Sequence, residues 1–359
     1  MKSVCFLLPG RLYRPIGGHK IVYQHANYLS KIGYKVYIAN NVFAPSNKGF
    51  IFETLRKVHA VLRFVSRFSR NKLSCRKWFD LDPSIQEVRV WDYHFSHMPK
   101  VDGYIATDAT TSPYLESYPV PPENKFYFVQ DYENWNMNDE QLRSTYHFHC
   151  NILVISKWLK RIMDKEGVEC RVVPNGYDSS EFYLTKPIEE KDEHRISMLY
   201  HRDERKNIGL GLAALSLVHE QIPDIHVSMF GVYDEPQDLP PYISYIQCPD
   251  RTTHNALNNE AAIFIGTSNI EGWGLTVLEA MACGQAIACT DNDGYLEMAV
   301  HDVNALISPV NDSQALATNI LSLIRDDDKR IRLAREGQKT AANYTIEKSN
   351  QLFADSIIL

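Results

Sequence analysis

Short apolar runs, polar loops and helix-period stretches alternate along most of this chain. The first run is SVCFLL, at Ser3–Leu8, and a polar loop, PGRLYRPIGG, follows it. In the next segment, HKIVYQHANYLSKIG, the apolar residues Ile21, Val22, Ala26 and Leu29 recur near a 3.6-residue period, which predicts a helix. Gly33 is placed to stop that helix, and YKVYIAN reads as the next strand. The same order returns as RISMLY, HRDERK, NIGLGLAALSLVHEQIP and DIHVSMFG. Each stretch predicts a βαβ unit, with parallel strands joined by a right-handed crossover. Further strands are predicted at Gly103–Thr107, Phe126–Val129, Ile152–Ile155, Ile243–Gln247, Ala262–Gly266, Ala286–Thr290 and Ala305–Ser308. Continuous apolar runs between helices mark strands covered on both faces. The pattern predicts an α/β protein of two doubly wound domains, with ligands at the carboxyl ends of the strands.

A chain of 359 residues, 44% of them hydrophobic, exceeds one ordinary core and suits two. The break is expected near VVPNGYDSSEF, where Pro174, Asn175 and Gly176 interrupt regular structure. This divides the chain into an N-terminal domain at 1–174 and a C-terminal domain at 175–342, with a last helix at 343–359 packing back on the first. A net charge of −6 gives no reason to expect nucleic acid as a partner. The apolar run before Pro9 is too short for a secretory h-region, and no window reaches the ~20 apolar residues of a membrane span. The seven cysteines form no C-x-x-C pair and several lie in apolar runs, as expected of free thiols in a reducing cytoplasm.

The segment SNIEGWGLTVLEAMACGQAIACTDNDGYLEM carries the chemistry. A strand ends, the loop EGWG turns, and a helix starts near Leu275. Unsatisfied N–H groups and the helix dipole favour an anion at such a start, and Gly272 and Gly274 let the backbone come close to it. Glu271 in the loop and Glu279 one turn into the helix are eight residues apart. Carboxylates beside a phosphate pocket would repel the phosphates, so they are expected to accept hydrogen bonds from sugar or ribose hydroxyls. Taken alone, E-G-x-G also fits an ordinary strand–loop–helix with solvated glutamates.

The E-x7-E pair in EGWGLTVLEAMACG, followed by DGYLEM, resembles the donor signature of the family 4 retaining glycosyltransferases, which have the GT-B fold. VVPNGYDSSEF resembles that family's interdomain segment, and PIGGHKIVYQHANYL its first glycine loop and helix. HRDERKN and FVQDYENW are similar to a branch of rhamnosyltransferases in bacterial surface polysaccharide assembly (O-antigen, capsule or S-layer glycan). The resemblance implies two Rossmann-like domains facing each other across a cleft, and a transferase that works with retention and without a metal cofactor. It implies that Glu279 binds the nucleotide ribose and Glu271 holds hydroxyls of the transferred sugar. Backbone amides at Gly274, Leu275 and Thr276 would meet the diphosphate, and Gly17 and Gly18 would line the cleft from the other domain. The family offers an Arg and a Lys five residues apart after the first strand of its second domain. Here Arg202 and Lys206 are four apart with Arg205 between them, so Arg202 with Lys206, or Arg205, is the phosphate clamp. A cation is needed in either case, because a departing diphosphate gathers charge. Asp131, just after FYFVQ, is a candidate to stabilise positive charge on the sugar ring, or else a turn or helix cap. The resemblance favours dTDP-L-rhamnose as donor, then UDP- or GDP-hexoses, and a glycan or lipid-linked acceptor.

Other features are set aside or left open. His147 and His149 in YHFHC alternate as strand residues do, but lack the further ligands a metal site needs. The D-x-D triplets at 80–82 and 291–293 read as turns. His19 stands at the start of the first helix, where it either touches the acceptor or caps the helix. Residues 54–79 hold eight Lys or Arg and no Asp or Glu, with Leu55, Val58, Leu62, Val65 and Phe68 at helical spacing. That segment predicts an amphipathic basic helix that contacts an anionic membrane from the cytoplasmic side, or a solvated helix packed on its own domain.

Three other functions compete. A dinucleotide-dependent oxidoreductase fails because GRLYRPIGG is not G-x-G-x-x-G leading into a helix. A sugar-nucleotide epimerase or a phosphorylase of related architecture shares the fold, as does a non-catalytic carbohydrate- or nucleotide-binding subunit.

Overall fold

The computed structural model describes residues 2–10, 15–41, 74–135 and 137–357. The basic segment expected to contact a membrane lies mostly outside the described residues, which begin again at Ser74; its end forms a single 3₁₀ turn at Cys75–Lys77.

The chain forms two compact units. One runs to Val173 and takes back the residues from Asn350 onward; the other is Pro174–Ser349. The first holds a seven-stranded parallel sheet: β1 (Ser3–Leu8), β2 (Lys35–Asn41), β3 (Gln86–Val90), β4 (Gly103–Ala106), β5 (Lys125–Val129), β6 (Asn151–Val154) and β7 (Cys170–Val172). Their order across the sheet is β3-β2-β1-β4-β5-β6-β7. The second unit holds six parallel strands: β8 (Arg195–Tyr200), β9 (His226–Gly231), β10 (Ile243–Gln247), β11 (Ile263–Gly266), β12 (Ala286–Thr290) and β13 (Ala305–Ser308). Their order is β10-β9-β8-β11-β12-β13. Both sheets reverse direction of winding beside their first strand, between β1 and β4 and between β8 and β11. In doubly wound sheets that switch point opens the crevice where ligands bind.

Each apolar run predicted as a strand forms one. β3 and β7 escaped prediction because QEVRV and CRV are short, polar edge strands with few fully buried positions. His147 and His149, read as alternating strand residues, lie instead in a turn. There His149 Nδ1 is 2.7 Å from Glu116 Oε1 and His147 Nε2 is 3.7 Å from Glu166 Oε2, so each is occupied by a surface carboxylate. Asp82 Oδ1 accepts from the Ser84 N–H and hydroxyl, a turn use of that aspartate.

The second unit's core joins Ile196, Met198, Val227, Met229, Ile263 and Ile265 on the sheet to Leu316, Ile320 and Leu323 on the helix Ser313–Arg325. In the first unit the helix Gly17–Lys31 is tied to the chain's C-terminal segment. His25, fully buried, stacks on Phe353 at 4.1 Å between centroids, and its Nδ1 lies 2.7 Å from Asn350 Oδ1. Its Nε2 is buried with no hydrogen-bond partner among the described residues. A second proton there has no acceptor, and burial lowers the His25 pKa from 6.5 to about 4. Between those values the unfolded chain binds more protons, so stability is lost as pH falls from 6.5 towards 4, by up to roughly 3 kcal/mol. Urea titrations at pH 7 and pH 4.5 should show a drop in midpoint that is smaller in His25→Phe, which keeps the stack but cannot titrate. An equal drop in both proteins would place the acid sensitivity elsewhere.

Candidate functional site

The loops after β8 and β11, on the two sides of the second unit's switch point, are stitched together. The Asn269 N–H donates to the Arg205 carbonyl at 2.7 Å, and Thr267 Oγ1 donates to the Lys206 carbonyl at 2.6 Å. Asn207, left-handed at φ 44° and capping the helix Ile208–Gln221, donates from Nδ2 to Asn269 Oδ1 at 2.9 Å. These bonds hold the backbone of Lys206 against the loop that carries Glu271. Lys206 Nζ lies 2.6 Å from Glu271 Oε1, with side-chain exposures of 21% and 12%.

This geometry separates the three candidate cations. Lys206 stands at the glutamate. Arg202 points outward, over the Tyr233 ring and 3.7 Å from Asp234. Arg205 pairs with Asp203, its Nη2 2.8 Å from Oδ2. His201, at the start of the same loop, has its pKa lowered by burial and then by the Lys206 charge.

Glu271 Oε1 has a second donor, the Ser268 hydroxyl at 2.7 Å. Ser268 is itself fixed. Its carbonyl accepts from Asn292 Nδ2 at 2.9 Å and Thr290 Oγ1 at 2.5 Å, and its hydroxyl accepts from Tyr295 OH at 3.0 Å. The D-x-D triplet at 291–293 thus acts as a turn that braces the glutamate loop through Asn292. Gly294 allows the close approach: a Cβ there would sit 2.4 Å from the Glu271 carbonyl oxygen.

After Glu271 the chain enters the helix Leu275–Ala282 through Gly274, at φ 95°. A Cβ on Gly274 would stand 2.6 Å from the Tyr295 ring, so both the left-handed backbone and the ring beneath it require glycine. The Tyr295 ring therefore lies on the side of Gly274 to which a side chain would point. The partly exposed residues of the helix start are Leu275 and Thr276. Glu279 lies in this helix and is 7% exposed.

In the first unit, Gly17 and Gly18 begin the helix Gly17–Lys31, and a Cβ on Gly18 would lie 3.2 Å from Gln130 Oε1. Asp131 follows β5, and its Oδ1 accepts from the Tyr132 N–H at 2.8 Å, a local turn contact. His19 lies within the helix rather than at its cap. Sequence reasoning passed over the neighbouring Glu133, which is buried and accepts from the Ala109 N–H. Burial, and then the Asp108 carboxyl, push its pKa well up. In the second unit it passed over Ser268 and Tyr295. The one available signal was a serine three residues before a loop glutamate, a spacing at which side chains meet in a turn. Among the described residues no group of three or more His, Cys, Asp or Glu converges as metal ligands, and no helix is long and apolar enough to cross a membrane.

Residues 180–340 match the family model of glycosyl transferases group 1. That span contains Lys206, Ser268, Glu271, Glu279 and Tyr295. The phosphatidyl-myo-inositol mannosyltransferase of Mycolicibacterium smegmatis is 24% identical over 184 residues, 48% of this chain and 47% of that protein. The chain spans about half the length, or less, of the curated relatives it matches. Among solved structures, sucrose-phosphate synthase from Thermosynechococcus elongatus has a TM-score of 0.75 at 14% identity, over 99% of this chain and 98% of that one. Anabaena HepE in complex with UDP and glucose has a TM-score of 0.72 at 16% identity, over 99% of both chains. The architecture is the two-domain α/β GT-B fold. The group 1 match and the stitched loops coincide on the same unit.

Proposed function

We propose that the protein is a glycosyltransferase that binds a nucleoside diphosphate sugar in its second unit and transfers the sugar, with retention, to a glycan or lipid-linked acceptor. The observation that carries this reading is the Lys206–Glu271 pair at the helix start Leu275–Ala282. A cation, a helix N-terminus and a carboxylate stand together where the sheet opens. The cation and the helix dipole suit the two phosphates. The carboxylate suits hydroxyls of the sugar, and Glu279, buried four residues into the helix, suits the ribose. The group 1 match over 180–340 supports this use of the unit.

The chemistry follows from charge. As the bond from the sugar to phosphate breaks, negative charge grows on the diphosphate and positive charge on the ring carbon. Lys206 has three ammonium hydrogens and gives one to Glu271, so two remain for phosphate oxygens. Stabilising the leaving group in place lowers the barrier without reorganisation. The departing phosphate oxygen accepts the proton of the acceptor hydroxyl, so no separate base is required, and no metal cofactor is assigned. The segments HRDERKN and FVQDYENW favour dTDP-L-rhamnose as donor, ahead of UDP- and GDP-hexoses. The M. smegmatis relative acts on a phosphatidyl-inositol, as its name states, which favours a lipid-linked acceptor and a place in surface glycan assembly.

The test is release of nucleoside diphosphate from dTDP-L-rhamnose, UDP-glucose and GDP-mannose, with and without a lipid-linked glycan acceptor. One donor should turn over faster with acceptor. Lys206→Met should raise the apparent donor KM and lower kcat/KM by about 100-fold, since it removes the cation facing a dianionic leaving group. Release without any acceptor dependence favours an epimerase, and binding without turnover favours a non-catalytic subunit. Either result ends the transferase reading.

A further inference from the structure

The glutamate at the proposed donor site has two oxygens, and the structure treats them differently. Glu271 Oε1 takes both donors, the Lys206 ammonium at 2.6 Å and the Ser268 hydroxyl at 2.7 Å. Among the described residues Oε2 has no hydrogen-bond or ion-pair partner. A carboxylate only accepts, so the Ser268 hydroxyl must donate to it, and its lone pairs must take the hydrogen from Tyr295 OH at 3.0 Å. The direction of the chain is thereby set: Tyr295 to Ser268 to Glu271.

We propose that Tyr295 and Ser268 form a hydroxyl relay that locks the Glu271 carboxylate with Oε1 turned inward and Oε2 presented to a hydroxyl of the transferred sugar. Both are positioning residues; neither touches the reacting atoms. The inference rests on the function proposed above and assigns what holds its key side chain still.

Three features set the relay apart from a tyrosine that fills space. Tyr295 and Ser268 are each 2% exposed, so water does not compete for their hydroxyls. Ser268 is bonded through its carbonyl to Thr290 and Asn292, and the Tyr295 N–H donates to Asn292 Oδ1 at 3.1 Å. Asn292 therefore ties Tyr295 and Ser268 to one side chain. The Tyr295 ring also supports Gly274, where a Cβ would meet its Cδ1 at 2.6 Å. One residue thus supports the helix start that faces the diphosphate and orients the carboxylate that faces the sugar. A carboxylate left free to rotate would spend part of its time with Lys206 and substrate competing for one oxygen, and misplacement of about 1 Å is enough to cost turnover.

The experiment uses the full chain and whichever of dTDP-L-rhamnose, UDP-glucose and GDP-mannose the wild type turns over. Tyr295→Phe keeps the ring and removes only the hydroxyl. It should lower kcat about 5-fold with donor KM within about 2-fold of wild type. Ser268→Ala should lower kcat about 20-fold, and Ser268→Thr should restore most of it. The double variant should match Ser268→Ala, because the relay is already broken. Multiplying effects in the double variant, or an unchanged kcat in Tyr295→Phe, would overturn the relay. Glu271→Ala in the same assay separates the two levels. If it keeps wild-type turnover, the assigned function of the site fails. If it loses turnover while Ser268→Ala keeps the wild-type kcat, only the relay fails. A ligand-free crystal structure of Ser268→Ala decides the relay without any donor: the carboxylate should leave Lys206 or rotate, and an unmoved Glu271 would overturn it.

Discussion

Replacing Glu271 by Ala is expected to lower kcat by about 100-fold or more while leaving nucleoside diphosphate binding intact or tighter. The two halves of this result have one cause. Glu271 occupies one hydrogen of the Lys206 ammonium at 2.6 Å and neutralises its charge. Without the carboxylate, on the proposed function, the sugar loses the group that orients its hydroxyls, so the fraction of productive geometries falls. Lys206, freed of its counter-charge in a site where its side chain is only 21% exposed, meets the phosphates more strongly. Calorimetry with UDP or dTDP and steady-state release of nucleoside diphosphate, run on the same variant, read the halves separately. Loss of both binding and turnover would make Glu271 a structural support for the loop, and near-normal kcat would remove it from the mechanism.

The largest expected effect on stability is at Lys191, far in sequence from the chemistry. Its side chain is buried, with the ammonium donating to the carbonyls of Asn258, Ala261 and Cys283 at 3.0, 3.1 and 2.7 Å. These carbonyls belong to the C-terminal ends of the helices Arg251–Glu260 and Leu275–Ala282, where carbonyls lack partners within the helix. A single cation thus closes two helices, one of which starts at the proposed phosphate site. Lys191→Met keeps the apolar stem and leaves three buried acceptors without a donor. Each such acceptor costs about 1–3 kcal/mol. Burial lowers the Lys191 pKa to about 7, which offsets part of that gain in the wild type. The expected net loss is ~3 kcal/mol, or roughly 6–12 °C in the melting temperature of a unit this size. Scanning calorimetry checks it, and a shift below about 2 °C would mean that the carbonyls find other donors.

Lys191 shows why some features escape a reading of the residues alone. In KPIEEKDEHR it is one of several charges in a polar stretch, and nothing nearby separates a solvated lysine from a buried one. What distinguishes it is three carbonyls 67 to 92 residues further along the chain. Tyr295 is similar. DGYLEM marks a turn, but the contact that matters is with Ser268, 27 residues earlier.

The local signals were dependable where the physics is local. Apolar runs and helical periods determined every strand but the polar edge strands β3 and β7, together with the two βαβ repeats and the doubly wound class, because burial on both sheet faces demands such runs wherever they occur. The strand–EGWG–helix order determined the position of the glutamate loop, because the φ of 95° with which the chain enters this helix favours glycine at position 274. Spacing could not choose among Arg202, Arg205 and Lys206. Four residues of a loop place no side chain until its backbone is pinned, and Asn269 and Thr267 from another strand's loop do the pinning. Nor could it reveal which oxygen of Glu271 is held, since orientation of a carboxylate depends on donors that only the folded sheet brings within 3 Å. The residues by themselves determined most of the elements and the loop on which the proposed site is built. The tertiary structure decided which charges meet there, because long-range hydrogen bonds, not periodicity, aim the side chains.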